Sequence, residues 1–365
     1  MHIGIVLHPF GDSAKGLEQY VYETTRSIIE GSKDKTTFTV FVKGNPDVSG
    51  LPKGTTVIHF PDVFYWHLYF VAWYKKCDAF VFFTESAPLF LWRESIIVFF
   101  DAAYFYFGSH TLYGRIQRKV LVWWRKNMMR SARHVVAISE ASKRDLVEKY
   151  QVPHNHVTVI YPGFKALNTG LMNGGAKTPP QPFFMYIGPM KERKNVLRIV
   201  EAYIAFRKTT RFTHHLYLVG RKTEGAYESS IRTCIKESGY ADSIFFKTDV
   251  DDTALEELYT TTTALVYPSL LEGFGLPILE ALSCGAIVIT SKTTSTCEVL
   301  GDAGILVDPY SVEEIQNAMV QIAEGNYDAE KCKKEGEAQC QRFSWAKSAE
   351  EWRELFLDGA IIKGT

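Results

Sequence analysis

Residues 271–280 read LEGFGLPILE, and both the fold and the chemistry of the chain can be worked outward from them. Two carboxylates, Glu272 and Glu280, flank a loop containing Gly273, Phe274, Gly275 and Leu276, and Pro277 follows. Glycine lets a backbone come close to a ligand. Proline is readily accepted at the first helical position, where its missing N–H would lack an intrahelical partner anyway. Gly285 supplies the stop. The stretch therefore predicts a loop feeding a short helix over 277–284, with backbone N–H groups and the positive helix end aimed at whatever fills the loop. An anion fits there. Glu280, about one turn into the helix, would repel that anion, so its better partners are hydroxyls that donate to it, and ribose hydroxyls meet that description.

Around this segment, short β-branched and aromatic runs alternate with longer amphipathic stretches, the pattern of parallel sheets covered by helices. Strands are expected at 2–7, 37–43, 56–59, 79–83, 96–100, 134–138 and 157–160, and again at 183–187, 215–219, 244–247, 264–267, 286–290 and 304–307. Between the two sets, residues 166–182 read ALNTGLMNGGAKTPPQP, rich in Gly, Asn and Pro and without apolar periodicity, which marks a linker. The reading is an α/β chain of two Rossmann-like doubly wound domains, 1–165 and 183–345, with 346–365 as a helix packing back toward the first. Such domains bind ligands outside the carboxyl ends of their strands, so two of them facing across a cleft would share one site.

At 365 residues the chain can bury two ordinary cores. Its six cysteines show no metal-ligand spacing, and no secretory signal precedes the first strand, so reduced thiols and a cytoplasmic setting are expected. The longest apolar run, 64–74, is interrupted by His67 and falls short of the roughly 20 residues that span a bilayer. Net charge is zero but unevenly divided: up to Lys165 there are 20 Lys and Arg against 14 Asp and Glu, and the remainder carries 21 against 27, giving about +6 and −6. No nucleic-acid-binding module accompanies the basic half. Instead FYWHLYFVAWYKK at 64–76, and Arg115, Arg118, Lys119, Arg125, Lys126, Arg130 and Arg133 around Val120, Leu121, Trp123 and Trp124, combine aromatics with cations. That combination predicts contact of the first domain with an anionic membrane surface.

A second candidate element, FMYIGPMKERKNVLR at 184–198, ends a strand at Gly188 and places Arg193, Lys194 and Asn195 at the start of a helix. Cations there oppose the helix macrodipole unless an anion is shared with it, and a diphosphate would remove the conflict. Near the amino terminus, LHPFGDSAKGLEQY contains Gly11 and Gly16 in a loop that matches neither the Walker spacing nor G-x-G-x-x-G. Asp249, Val250 and Asp251 spell D-V-D, but Thr253 and Glu256 suggest an S/T-x-x-E capping box, so the aspartates are read as helix-start residues and not as a metal site.

The stretch from Ala264 to Pro309, ALVYPSLLEGFGLPILEALSCGAIVITSKTTSTCEVLGDAGILVDP, resembles the E-x7-E signature of the retaining glycosyltransferases grouped as family 4, enzymes of the GT-B fold. The R-K-N element at 193–195 and the first loop are similar to the same family. The resemblance implies transfer of a sugar from a UDP- or GDP-sugar to a hydroxyl of a glycan or lipid-linked acceptor. In it Glu280 would bind ribose, Glu272 and the amides of Gly273, Phe274, Gly275 and Leu276 the sugar and phosphates, and Arg193 and Lys194 the leaving diphosphate. Gly16 would approach the donor phosphate, Gly188 would end the phosphate-binding strand, and Arg221 and Val250 would flank the base. The nucleotide sugar is a substrate, and neither a cofactor nor a divalent metal is expected. Family members often carry His-Asp where SIIVFFDAAYF has Phe100 and Asp101, leaving Asp101 to contact the acceptor or act as a base and His8 as a substitute for the missing histidine. A nucleotide-sugar 2-epimerase of the same fold, a catalytically silent partner subunit and a two-lobed sugar-binding protein are the competing readings.

Overall fold

The computed structural model describes residues 1–10, 17–31, 36–63, 66–84, 87–107, 112–167, 181–221 and 225–357. The chain divides into two compact units, Met1–Gly163 with the segment from Phe343 onward, and Phe164–Arg342. Phe343 thus belongs to the first unit, where its ring meets Tyr161 edge-on at 5.2 Å.

Among the described residues the first unit builds a seven-stranded sheet from β1 (His2–Leu7), β2 (Thr37–Lys43), β3 (Thr56–Phe60), β4 (Ala79–Phe82), β5 (Ser95–Phe99), β6 (His134–Ala137) and β7 (Val157–Val159), in the order β3-β2-β1-β4-β5-β6-β7. All pairs are parallel, with Ile5 opposite both Val40 and Val81. Strands covered on both faces read as continuous apolar runs, and β4, AFVF, is buried throughout. Helices α1 (Leu17–Gly31), α2 (Ala103–Tyr106), α3 (Leu112–Ser131) and α4 (Glu140–Glu148) accompany the sheet. The last described helix, Trp345–Leu357, lies along α1: Trp352 is fully buried, and Gly31 approaches Ala349 so closely that a Cβ there would stand 3.1 Å from its methyl.

The second unit forms a six-stranded parallel sheet from β8 (Phe183–Ile187), β9 (His215–Val219), β10 (Ile244–Lys247), β11 (Ala264–Tyr267), β12 (Val288–Ser291) and β13 (Ile305–Val307), ordered β10-β9-β8-β11-β12-β13. Around it lie α5 (Val196–Thr209), α6 (Ala226–Glu237), α7 (Asp252–Thr261), α8 (Leu276–Ser283), α9 (Thr296–Leu300), α10 (Val312–Ala323) and α11 (Ala329–Arg342). Every expected strand is present, with ends shifted by at most two residues. Between β8 and β11 the strand order reverses, so the connection leaving β8 runs one way along the sheet and that leaving β11 runs the other. A crevice opens at such a point, outside the carboxyl ends of the two strands.

One local expectation is corrected. Helix α7 is capped by Asp251, whose side chain accepts from the Ala254 N–H at 2.8 Å, and not by a box between Thr253 and Glu256. Asp is as good an N-cap as Thr. The helix thus starts two residues earlier than expected, and Glu256, within it, is fully buried.

Candidate active site

The loops that leave β8 and β11 supply the groups. After β8, Gly188 adopts φ 135° and donates its N–H to the Val219 carbonyl, while Gly220 at the end of β9 packs so tightly on the Gly188 backbone that a side chain would have no room. Two strand ends are thereby joined main chain to main chain. The chain then makes a 3₁₀ turn, Glu192–Lys194, and enters α5 through Asn195 in the left-handed region at φ 63°. Asparagine tolerates that conformation better than most residues. Its buried amide donates to the carbonyls of Pro268 (2.9 Å) and Pro309 (2.6 Å), and its oxygen accepts from Arg198. Asn195 therefore fixes the first loop against the segments following β11 and β13. The Leu270 N–H, donating to the Arg193 carbonyl, adds a backbone link.

The β11 loop is held from beneath. The Ser295 hydroxyl lies 2.9 Å from the carbonyls of both Glu272 and Phe274, and Ser291 donates to the Ser269 carbonyl. Gly275, at φ 115°, turns the chain into α8, whose amino end has no side-chain cap and carries Pro277 in its first turn.

Three charged groups converge between these loops. Lys194 Nζ donates to Glu272 Oε1 at 2.5 Å and to the Tyr267 hydroxyl at 2.7 Å, and sits 5.0 Å from the centre of the Tyr267 ring. Arg193 reaches Glu272 Oε2 at 3.4 Å and the Leu271 carbonyl at 3.2 Å. Lys194 and Glu272 are each only 7% exposed, whereas the Arg193 side chain is 28% exposed. Burial pushes the Glu272 carboxyl up, but the charges of Lys194 and Arg193, with the lysine hydrogen bond, outweigh it and hold the group below the ordinary glutamate value. Tyr267, buried and beside that carboxylate, has its hydroxyl pushed well above its usual value, as does Tyr186, whose ring stacks on it at 6.3 Å.

Glu280, on α8, is partly exposed and accepts from the Tyr259 hydroxyl of α7 at 3.0 Å. Burial raises its carboxyl, and the tyrosine offsets part of the effect. Val250 is partly buried just before the Asp251 cap, and Arg221 is exposed after Gly220, each following the end of a strand. The arrangement thus brings Arg193, Lys194 and Glu272 into direct contact and keeps the second carboxylate, Glu280, on the helix that follows. Asp101 belongs to the first unit, where it accepts the Ala103 N–H at 2.9 Å at the start of α2, and Phe100 stands edge-on to Tyr20 at 5.2 Å. His8, also of the first unit, meets Trp66 edge-on, and burial followed by the Lys43 and His67 charges lowers its basicity. Gly16 lies outside the described residues.

Tyr267, Tyr186 and Ser295 were not singled out from the sequence as parts of this cluster, and Asn195 was marked only as the last residue of the R-K-N element. The available signal was a tyrosine, with its polar end, at or near the carboxyl terminus of each of two otherwise apolar strands, YI before Gly188 and VY before Pro268.

The family model described as Glycosyl transferases group 1 matches residues 172–339, and that described as Glycosyltransferase Family 4 matches 14–166. O-antigen chain mannosyltransferase B of Escherichia coli is 31% identical over 225 residues, which are 59% of this chain and 58% of that protein. O-antigen chain mannosyltransferase RfbU of Salmonella typhimurium is 26% identical over 232 residues, 64% of this chain and 62% of that protein. The matches thus span less than two thirds of either relative. Among solved structures, sucrose-phosphate synthase from Thermosynechococcus elongatus superposes with a TM-score of 0.78 at 19% identity, covering 98% of both chains. Anabaena HepE in complex with UDP and glucose superposes at 0.74 and 17% identity, covering 98% of this chain and 99% of that one. Two parallel sheets ordered about a reversal point, with family models matching both halves, show that the chain belongs to the family 4-like glycosyltransferases of the GT-B fold.

Proposed function

We propose that the protein transfers a sugar, with retention of anomeric configuration, from a UDP- or GDP-sugar to a hydroxyl of a glycan or lipid-linked acceptor. The observation that carries this reading is the buried cluster of Arg193, Lys194 and Glu272 beside the amino end of α8. Two cations against one carboxylate leave a surplus positive charge, matched to a diphosphate. As the bond to the sugar breaks and negative charge grows on the leaving phosphate, Lys194 and Arg193 stabilise it with dipoles and charges already in place, which is where electrostatic catalysis gains most. Glu272 holds Lys194 in position and offers its carboxylate and the neighbouring loop amides to the sugar. Glu280 accepts from the ribose hydroxyls, with Tyr259 fixing its carboxylate. The departing phosphate assists removal of the acceptor proton, Asp101 contacts the acceptor, and no divalent metal takes part.

The relatives named as mannosyltransferases make a mannosyl donor the first sugar to test, and a neighbour holding UDP and glucose keeps a UDP-sugar beside it. A thermal-shift panel of UDP, GDP, TDP and ADP tests the reading. Stabilisation by one uridine or guanosine diphosphate, lost in Glu280→Ala, is expected. No shift with any nucleotide at millimolar concentration overturns it.

A further inference from the structure

The first unit carries an apolar stripe that faces solvent. On α3, Tyr113 (72% exposed), Ile116 (54%), Val120 (60%) and Trp123 (63%) recur at steps of three, four and three, which places them on one side of the helix. Another side of the same helix is already in the core: Met128 and Met129 are fully buried, and Trp124 packs edge-on against Trp92 at 4.9 Å. The helix therefore has two apolar sides, and the fold covers one. Beside the stripe runs a row of cations, Arg115, Lys119, Lys126 and Arg130, at steps of four, seven and four. From 102 to 139 the chain holds seven Lys and Arg and no Asp or Glu. Leu68, 62% exposed, and Val71, 64% exposed, lie on the 3₁₀ turn Trp66–Ala72, whose Phe70 shares the core cluster of Met128.

Exposed apolar residues scattered singly need no explanation, but a continuous stripe bordered by cations does. We propose that this face of α3 docks on an anionic lipid bilayer, the stripe entering the boundary of the acyl region and the cationic row meeting headgroup phosphates. Charge commits the surface to this occupant. A second copy of the chain packed through this face would set the four cations of the row against four like charges, whereas an anionic leaflet attracts them and accepts aromatic and aliphatic side chains beneath the phosphates. Among the described residues no helix is long and apolar enough to cross a membrane. This docking does not rest on the proposed transfer reaction.

Co-sedimentation of the full chain with vesicles of phosphatidylcholine alone, and of three parts phosphatidylcholine to one part phosphatidylglycerol, tests it. Binding to the anionic vesicles only, weakened by salt, is expected. Lys119→Gln with Lys126→Gln should lower the partition coefficient roughly 25-fold, about five-fold for each cation. Val120→Ser with Trp123→Ser should abolish the binding that survives at high salt. All four positions are on the surface, so unchanged thermal melts verify that the variants fold. Equal recovery in the supernatant with both vesicle types at low salt overturns the proposal, and so does binding that both double variants leave unchanged. A dimer in sedimentation velocity that Trp123→Ser dissolves, without vesicle binding, also overturns it and assigns the stripe to a second copy.

Discussion

Lys194 and Glu272, 78 residues apart in sequence, form a buried ion pair at 2.5 Å, with the Tyr267 hydroxyl as the second acceptor of the lysine ammonium. Burying either charge alone would be unfavourable by several kcal/mol, so each side chain stabilises the other as well as facing the proposed donor site. The pair has two separable consequences, one for stability and one for turnover.

Lys194→Met is expected to destabilise the protein by about 3 kcal/mol, because Glu272 loses its nearest cation and Arg193 stands farther off. Adding Glu272→Gln should return most of that loss, since no uncompensated charge remains. Turnover should fall in both variants by a factor on the order of 100 and should not recover in the double one. Urea denaturation of the four proteins of this cycle, beside donor-dependent transfer assays, measures both effects. Recovery of turnover in the double variant would show that Lys194 serves structure alone.

Tyr267→Phe removes an acceptor of the lysine while keeping the ring beneath it. A loss of about 1 kcal/mol in stability is expected, together with a lower kcat at a nearly unchanged affinity for the nucleotide diphosphate. Calorimetric titration and steady-state kinetics on the same preparation separate these quantities. A Tyr267→Phe enzyme with wild-type kcat would leave the tyrosine no part in positioning Lys194.

The two glutamates should divide their effects. With the bare nucleotide diphosphate, Glu280→Ala is expected to weaken binding at least ten-fold, the loss of about 1.4 kcal/mol. Glu272→Ala should retain most of that affinity and lose transfer. Isothermal calorimetry decides the assignment, and the reverse pattern would exchange the two roles.

Acid should act through the same carboxylates in opposite senses. Glu272 is held below the ordinary glutamate value of 4.5, so below about pH 4.5 the unfolded chain binds the proton first. Its contribution is therefore present above that pH and lost as pH falls through the lower folded value. Glu280 is raised, so the folded chain keeps its proton longer, and stability declines as pH rises past about 4.5. Unfolding free energies between pH 3 and pH 7 should lose part of their acid slope in Glu272→Gln and part of the decline above pH 4.5 in Glu280→Gln. Unaltered profiles in both would place the titration elsewhere.

Asn195 offers a test of the scaffold. Asn195→Gly keeps the backbone free to adopt φ 63° but deletes the two amide bonds to Pro268 and Pro309, while Asn195→Ala adds the left-handed strain. Losses of roughly 2 kcal/mol for glycine and about 1 kcal/mol more for alanine are expected. Thermal melts compare them directly, and equal melting temperatures for the two variants would deny the strain.

The strand pattern and the loop preceding α8 were legible because they are set by local chemistry, namely β-branched runs and glycine and proline punctuation, whereas the linker expected over 166–182 lies largely outside the described residues. Sequence likewise marked Arg193, Lys194, Glu272 and Glu280, since cations at a helix start and paired carboxylates around glycines stand out against an apolar background. It placed the α7 cap wrongly, because Asp251 and Thr253 are both competent caps and only the folded helix shows that Asp251 accepts the Ala254 N–H. That Lys194 bonds to Glu272, that Tyr267 and Tyr186 stack beside them, and that Asn195 ties together the segments following β8, β11 and β13 were decided by tertiary structure. Those contacts exist because β8 and β11 are neighbours at the reversal of strand order, and no periodicity along the chain encodes which distant strand ends will meet. The same holds for α3: its sequence is apolar and basic on several sides, and only packing against Trp92 and the core settled that Trp124 turns inward while Trp123 stays in solvent.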